Sequence, residues 1–321
     1  MPLRPAILVL ALAGGLSAQP GQIAFSTNQH VLIMNTDGTG VRQLAKGQSP
    51  AWSPDGERIV FVTAWSREQG ATNISVMDRD GSNAETLFEG DGLNPSNPAF
   101  SHDGRKILFS SWQDEESFIY EMDATPGATA HQIPLFPSNS EDPTFLYSPA
   151  VSPDGMSLAF ILMRRSQIAA RSTGDLYLSN LDGSNGRLVA GDIGSHDAPA
   201  WSPGGELAFY SKRQDGEGIY IADGQGSNQT LLSVEWVIDW DPSWSPDGEW
   251  ISFASSQSRK GIDIFIMRRD GTDVVNLTNT PDTPDYAPAW SPVALPRLET
   301  PILEPSWGQL KTDLPGPATS K

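Results

Sequence analysis

One phrase recurs through the chain and constrains its fold more than any other feature. It reads SPAWSPDG from Ser49, NPAFSHDG from Asn97, SPAVSPDG from Ser148, APAWSPGG from Ala198, DPSWSPDG from Asp241 and APAWSP from Ala287. Its leading prolines, Pro50, Pro98, Pro149, Pro199, Pro242 and Pro288, follow one another at intervals of 48, 51, 50, 43 and 46 residues. A period in that range belongs to solenoids, propellers or arrays, whose units bury their apolar faces only against one another.

The pattern between the phrases selects among these. After each phrase, large apolar residues alternate: Ile59/Phe61, Ile107/Phe109, Leu158/Phe160, Leu207/Phe209 and Ile251/Phe253, with Ile23/Phe25 as a sixth pair near the N-terminus. Period-two alternation predicts a strand with one buried face. A second strand ending in a turn follows, as in NISVMDRDG, DLYLSNLDG and DIFIMRRDG, then a weaker one such as AETLF or GRLVA. Helical spacing is absent. Four strands per repeat without helices predict an all-β, six-bladed β-propeller of four-stranded blades. The chain opens on the second strand of a blade and ends on a lone first strand, Ala287 to Ser291. That C-terminal strand is therefore expected to complete the N-terminal blade and close the ring, removing the exposed sheet edges.

PAWSPDG followed by I-x-F, then a strand ending in M-D-x-D-G, resembles the repeat signature of the TolB-like six-bladed β-propeller family. The resemblance runs from about Ile23 to Pro292 and implies the propeller fold. For function it is weak, because blades of this kind serve unrelated activities. The family's name-giving protein carries an α/β domain ahead of its propeller. The resemblance here implies a propeller-only member, to which that protein's role does not simply transfer.

The ends of the chain read differently. Residues 1–18 place Arg4 before an apolar run and small residues up to Ala18, the layout of a secretory signal peptide. The propeller is expected over 19–292. Residues 293–321 lack the repeat, and six prolines between Pro292 and Lys321 suggest an extended Pro-rich tail in which Trp307 could dock on the disc or a partner. The reading is of an exported protein, periplasmic or extracellular and bacterial, monomeric, with no integral membrane segment. With 39 acidic against 21 basic residues and a net charge of −18, nucleic acid and anionic lipid are repelled overall. The absence of cysteine excludes disulfides, thiolate metal sites and cysteine nucleophiles.

The Asp-Gly pairs, such as Asp55-Gly56 and Asp80-Gly81, invite a calcium reading, but none carries the six oxygen ligands a calcium loop needs. They read as turns in which Asp caps and Gly takes positive φ. No cofactor is expected, and a calcium ion in the channel lacks a supporting ligand set. Trp52, Trp201, Trp244 and Trp290 share one slot of the repeat with Phe100 and Val151, which points to packing between blades. Trp65, Trp112, Trp236 and Trp240 break the repeat and fall in connections on one face of the disc, the top, where they are candidates for partner contact.

Charge on that face is uneven. The loops between second and third strands hold eight of the 21 basic residues, Arg164 and Arg165 among them, whereas the loops leading to the innermost strand are acidic. Asp197, Asp239, Asp241 and Asp285 stand nearest the strand starts and are the leading candidates for an acidic channel mouth. Such a mouth would attract a cation, a basic peptide or an N-terminal amine. No H-E-x-x-H or G-x-S-x-G occurs. The favoured function is a non-catalytic scaffold binding a protein or peptide of the cell envelope. The competing one is a carbohydrate-active lyase or hydrolase using carboxylates at the channel mouth.

Overall fold

The computed structural model describes residues 21–63, 72–90, 92–113, 116–135, 144–164, 173–194, 198–213, 216–232, 239–256, 261–280 and 283–294. Among them every regular element is a strand, 24 in all. Blade 2 shows the common plan: β4 (Gln48–Trp52), β5 (Arg58–Val62), β6 (Ile74–Asp78) and β7 (Glu85–Phe88) pair in chain order, each antiparallel to the last. Blade 3 comprises β8 (Asn94–Phe100), β9 (Lys106–Gln113), β10 (Glu116–Asp123) and β11 (His131–Gln132). Blade 4 runs β12 (Thr144–Val151), β13 (Ser157–Arg164), β14 (Thr173–Asn180) and β15 (Arg187–Gly194). In blade 5 the strands are β16 (Ala200–Trp201), β17 (Leu207–Arg213), β18 (Gly216–Ala222) and β19 (Thr230–Leu231). Blade 6 follows with β20 (Asp239–Trp244), β21 (Trp250–Ser255), β22 (Asp263–Arg268) and β23 (Val275–Asn276).

Blade 1 is assembled from both ends of the sequence. β1 (Gln22–Thr27), β2 (His30–Asn35) and β3 (Arg42–Lys46) are joined at the inner edge by β24 (Asp285–Trp290). Ile23 pairs with Trp290 and Thr27 with Asp285, and the Ser291 amide donates to the Gln22 carbonyl at 2.9 Å. The six-bladed ring is closed as the repeat arithmetic requires. The outermost strands of blades 3, 5 and 6 are only two residues long, which leaves little edge for another chain to pair with.

The expected single buried face of the second strands proves to be two. β1 and β21 are buried at all six positions, because each blade is stacked between two others. The alternation therefore sorts side chains by size and by neighbour. Ile23 and Phe25 pack with Trp250, Ile264 and Ile266 of blade 6, whereas Ala24 turns to Trp52, Ile59 and Phe61 of blade 2.

The repeat phrase carries its own turn. The Ser53 hydroxyl donates to Asp55 at 2.6 Å and accepts from the Arg58 amide, while Asp55 also accepts from the Glu57 amide and Gly56 takes φ +71°. Ser101/Asp103, Ser152/Asp154 and Ser245/Asp247 repeat the arrangement. The Ser53 hydroxyl, then the Glu57 amide, hold the Asp55 carboxyl below its usual range. These aspartates are spent on turns.

Candidate functional site

The innermost strands, β4, β8, β12, β16, β20 and β24, surround a channel whose wall is the first half of the phrase. At five X-Pro steps the strand bulges: register shifts lie between Gln48 and Ala51, Ser96 and Ala99, Tyr147 and Ala150, Trp240 and Ser243, and Tyr286 and Ala289. The X residues Ser49, Asn97, Ser148, Asp241 and Ala287 all have φ between +48° and +52°, a left-handed conformation uncommon for residues other than glycine. The bulge turns the X amide away from its own sheet, so it needs a partner elsewhere. The Ser49 amide donates to Ser26 Oγ at 2.9 Å and the Ser148 amide to Ser110 Oγ at 3.0 Å, each in the preceding blade.

Three blades have an aliphatic residue in that place, Val62, Ile161 and Ala254, and the last two share one solution. Ile161 and Ala254 occupy the positions of Ser26 and Ser110. The amides that follow them, Ala198 and Ala287, both donate instead to the Asp241 carboxylate, at 3.2 Å to Oδ1 and 3.3 Å to Oδ2. Asp241 thus ties blades 5 and 1 to its own blade 6 while lining the channel. Protein surrounds the carboxylate except where the channel reaches it. The loss of solvent pushes its pKa up to about 6, against the opposing pull of the two amides.

The upper part of the channel is a cavity of about 190 Å³ bounded by the six X-Pro steps. Asp241 is the one carboxylate among its described lining residues. Ser148 also lines it, and its Oγ, in a residue only 2% exposed, has no hydrogen-bond partner among the described residues. A ring of small residues, Ala51, Ala99, Ala150, Ser243 and Ala289, lines both this cavity and a second one below it. The lower cavity, about 490 Å³, is walled by Trp52, Phe100, Trp201, Trp244 and Trp290 and rimmed by prolines that include Pro54, Pro246 and Pro292. These tryptophans do pack between blades: the Trp52, Trp201 and Trp244 indole N–H groups donate to the carbonyls of Ala289, Ala150 and Ala200 in the preceding blade. Their ring edges also form the wall of this cavity, a second role that the repeat pattern alone did not reveal.

The other candidates separate. Asp285 lies away from the channel. It is 0% exposed, and its carboxylate meets the Thr280 hydroxyl at 2.7 Å, the same hydroxyl that reaches Asp263 at 2.9 Å. Two residues ahead of the bulge, its side chain is carried into the packing against blade 6. Asp239 holds the same register position in blade 6, opposite Ser255 as Asp285 is opposite Thr27; its side chain lies outside the described residues, as does that of Arg164. Asp197, Trp65, Trp236 and Arg165 lie wholly outside them. Trp240 packs against the core between blades 6 and 1, so it serves the ring-closing seam. Trp112 is different. It lies one residue before the end of β9 on the top face, 44% exposed, with its ring 5.1 Å from Phe145 and 6.2 Å from Tyr147 across the seam to blade 4. Lys212 and Arg213, two more of the eight basic residues in the loops between second and third strands, are engaged within blade 5: Lys212 pairs with Glu217 at 3.3 Å and Arg213 stacks over Tyr220 at 4.0 Å. No helix among the described residues is long and apolar enough to cross a membrane.

Comparison with known proteins places this geometry. An uncharacterised protein of Agrobacterium fabrum is 26% identical over 205 residues, which cover 61% of this chain and 66% of that protein. TolB from Acinetobacter baumannii superimposes with a TM-score of 0.65 at 24% identity, covering 85% of this chain and 67% of that one. A putative TolB from Agrobacterium tumefaciens gives 0.60 at 21% identity, covering 86% and 100%. The model of the TolB beta propeller domain matches residues 136–296, half of the chain. With its six closed blades and repeated turn, the chain belongs to the TolB β-propeller domain family.

Proposed function

We propose that the protein is a non-catalytic, exported binding module that engages a protein or peptide through its top face and the adjoining channel mouth. The observation that carries the reading is Trp112. The described tryptophans other than this one are buried or half-buried between blades, whereas Trp112 stands 44% exposed on a platform of Phe145 and Tyr147. An aromatic anchor on a rigid base is the common core of a protein-binding surface. Asp241 supplies a single negative charge to the channel, suited to an ammonium group or a basic side chain. A glycosidase would need two carboxylates about 5 to 9.5 Å apart; with Asp285 turned into the core, the described lining offers one. Export rests on the leader-like segment 1–18 and would be checked by sequencing the N-terminus of the mature protein.

The test is binding of a library of short peptides, presented with free and with acetylated N-termini, to the mature protein and to its Trp112→Ala and Asp241→Asn variants. The expected outcome is a subset of peptides whose affinity falls at least tenfold with Trp112→Ala while the circular dichroism is unchanged. Equal binding by wild type and Trp112→Ala would overturn the reading.

A further inference from the structure

The lower cavity has no place in that proposal, and the structure suggests its occupant. It is a cone of about 490 Å³, within the range of about 300–1,000 Å³ common for ligand sites. Indole edges wall it, prolines rim it, and His102 is the one titratable residue among its described lining residues. An aromatic wall of this kind suits an extended, proline-rich segment, whose polyproline II conformation is largely set before it binds. Despite the chain's net charge of -18, no carboxylate is among the described lining residues, so an apolar guest displaces none of them there.

The chain delivers such a segment to the rim. Pro292 is itself a lining residue of the cone, Val293 packs beside Trp52, and the Ser291 hydroxyl holds the Val293 carbonyl at 2.9 Å. In the other repeats this point enters a turn and a second strand; here the Asp-Gly is missing, and the chain is released on the lower face. The sequence that follows contains Pro296, Pro301 and Pro305, with Ile302, Leu303 and Trp307 between and just beyond them. From residue 295 to 307 an extended chain reaches roughly 40 Å at ~3.1 Å per residue, ample to cross the mouth of the cone. Tethering at the rim raises the local concentration of the segment to about the millimolar range. We infer that the segment from Pro296 to Trp307 docks in the aromatic cone of its own propeller.

The full-length mature protein with p-benzoylphenylalanine at position 307 tests this. Irradiation is expected to give an intramolecular cross-link, independent of dilution, that maps to the segments around Trp52, Trp201, Trp244 or Trp290; the same probe at position 321 is the control. Cross-links confined to dimers would assign the cone to a second copy of the chain, and cross-links to the outer strands or top face would place the segment elsewhere; either overturns the inference. Because a probe can fail to react, bis-ANS binding to full-length Ile302→Ser/Leu303→Ser/Trp307→Ala is measured beside wild type. Several-fold more dye, with unchanged circular dichroism, is expected as the cone is vacated. Equal dye binding by the two proteins also overturns it.

Discussion

At the scale of single residues, Asp241 joins a structural duty to a chemical one. Its two oxygens accept the Ala198 and Ala287 amides, yet its burial favours the protonated form, with a pKa near 6 against 3.8 for an unperturbed aspartate. A carboxyl whose pKa is raised on folding binds its proton more tightly in the native state. Its contribution is therefore fully present below the unfolded value and is lost as pH rises through about 6. In Asp241→Asn that slope vanishes, so the melting temperature of wild type relative to the variant should fall between pH 5 and pH 7.5; a difference constant with pH would refute the assignment. The serine acceptors make a simpler prediction. Ser110→Ala leaves the buried Ser148 amide without its partner and should cost about 1–3 kcal/mol in denaturant unfolding. Tolerance of that change would mean that the bulge amide finds another acceptor.

At the scale of the element, the inner strands show which parts of the design were legible in advance. The alternation Ile59/Phe61 predicted the strand and the Asp55-Gly56 pair its turn; both form there, with the strand buried on two faces instead of one and the Ser53 hydroxyl added to the turn. The bulge was hidden, because nothing in Ser-Pro or Ala-Pro announces a left-handed residue, and proline ordinarily biases its predecessor toward extended backbone. Without the bulge, distance along the strand could not say that Asp241 faces the channel while Asp285 is carried into the packing of blade 6. Trp112 and Trp240 depart from the repeat equally, yet the first stands 44% exposed and the second packs against the core between blades 6 and 1. Departure from a period marks a special residue but not its direction. The tryptophan slot offers a controlled comparison. Trp52 donates its N–H to Ala289, whereas the buried Trp290 N–H has no partner among the described residues. Trp52→Phe and Trp290→Phe lose similar ring area, but only the first forfeits a hydrogen bond and leaves a carbonyl wanting. Trp52→Phe should be the more destabilising, by about 1 kcal/mol, as read from paired urea melts. The reverse order would show that ring area, and not the N–H, decides the slot.

At the scale of the whole molecule, stability depends on closing the ring, and closure depends on one strand. β24 covers the edge of β1 from Ile23 to Thr27 and brings Trp290 into the layer shared with blade 6. Its removal would bare a fully buried, apolar strand edge, the kind of template on which chains pair. A chain ending before Asp285 should therefore dimerise or aggregate, visible as a rise in mass by light scattering behind size-exclusion chromatography. That result alone would not separate loss of closure from general damage. A circular permutant makes the distinction: residues 285–294 are moved ahead of Gly21 through a short flexible linker, so that blade 1 becomes a continuous four-stranded meander. Every strand pairing of the native ring is kept in that chain, while the ends meet between blades 6 and 1. If closure is the requirement, the permutant stays monomeric with the native circular dichroism, and its melting transition loses cooperativity because no strand now clasps the two ends. Should it melt as sharply as wild type, packing between blade faces would be sufficient to hold the ring, and the divided blade would be dispensable for its stability.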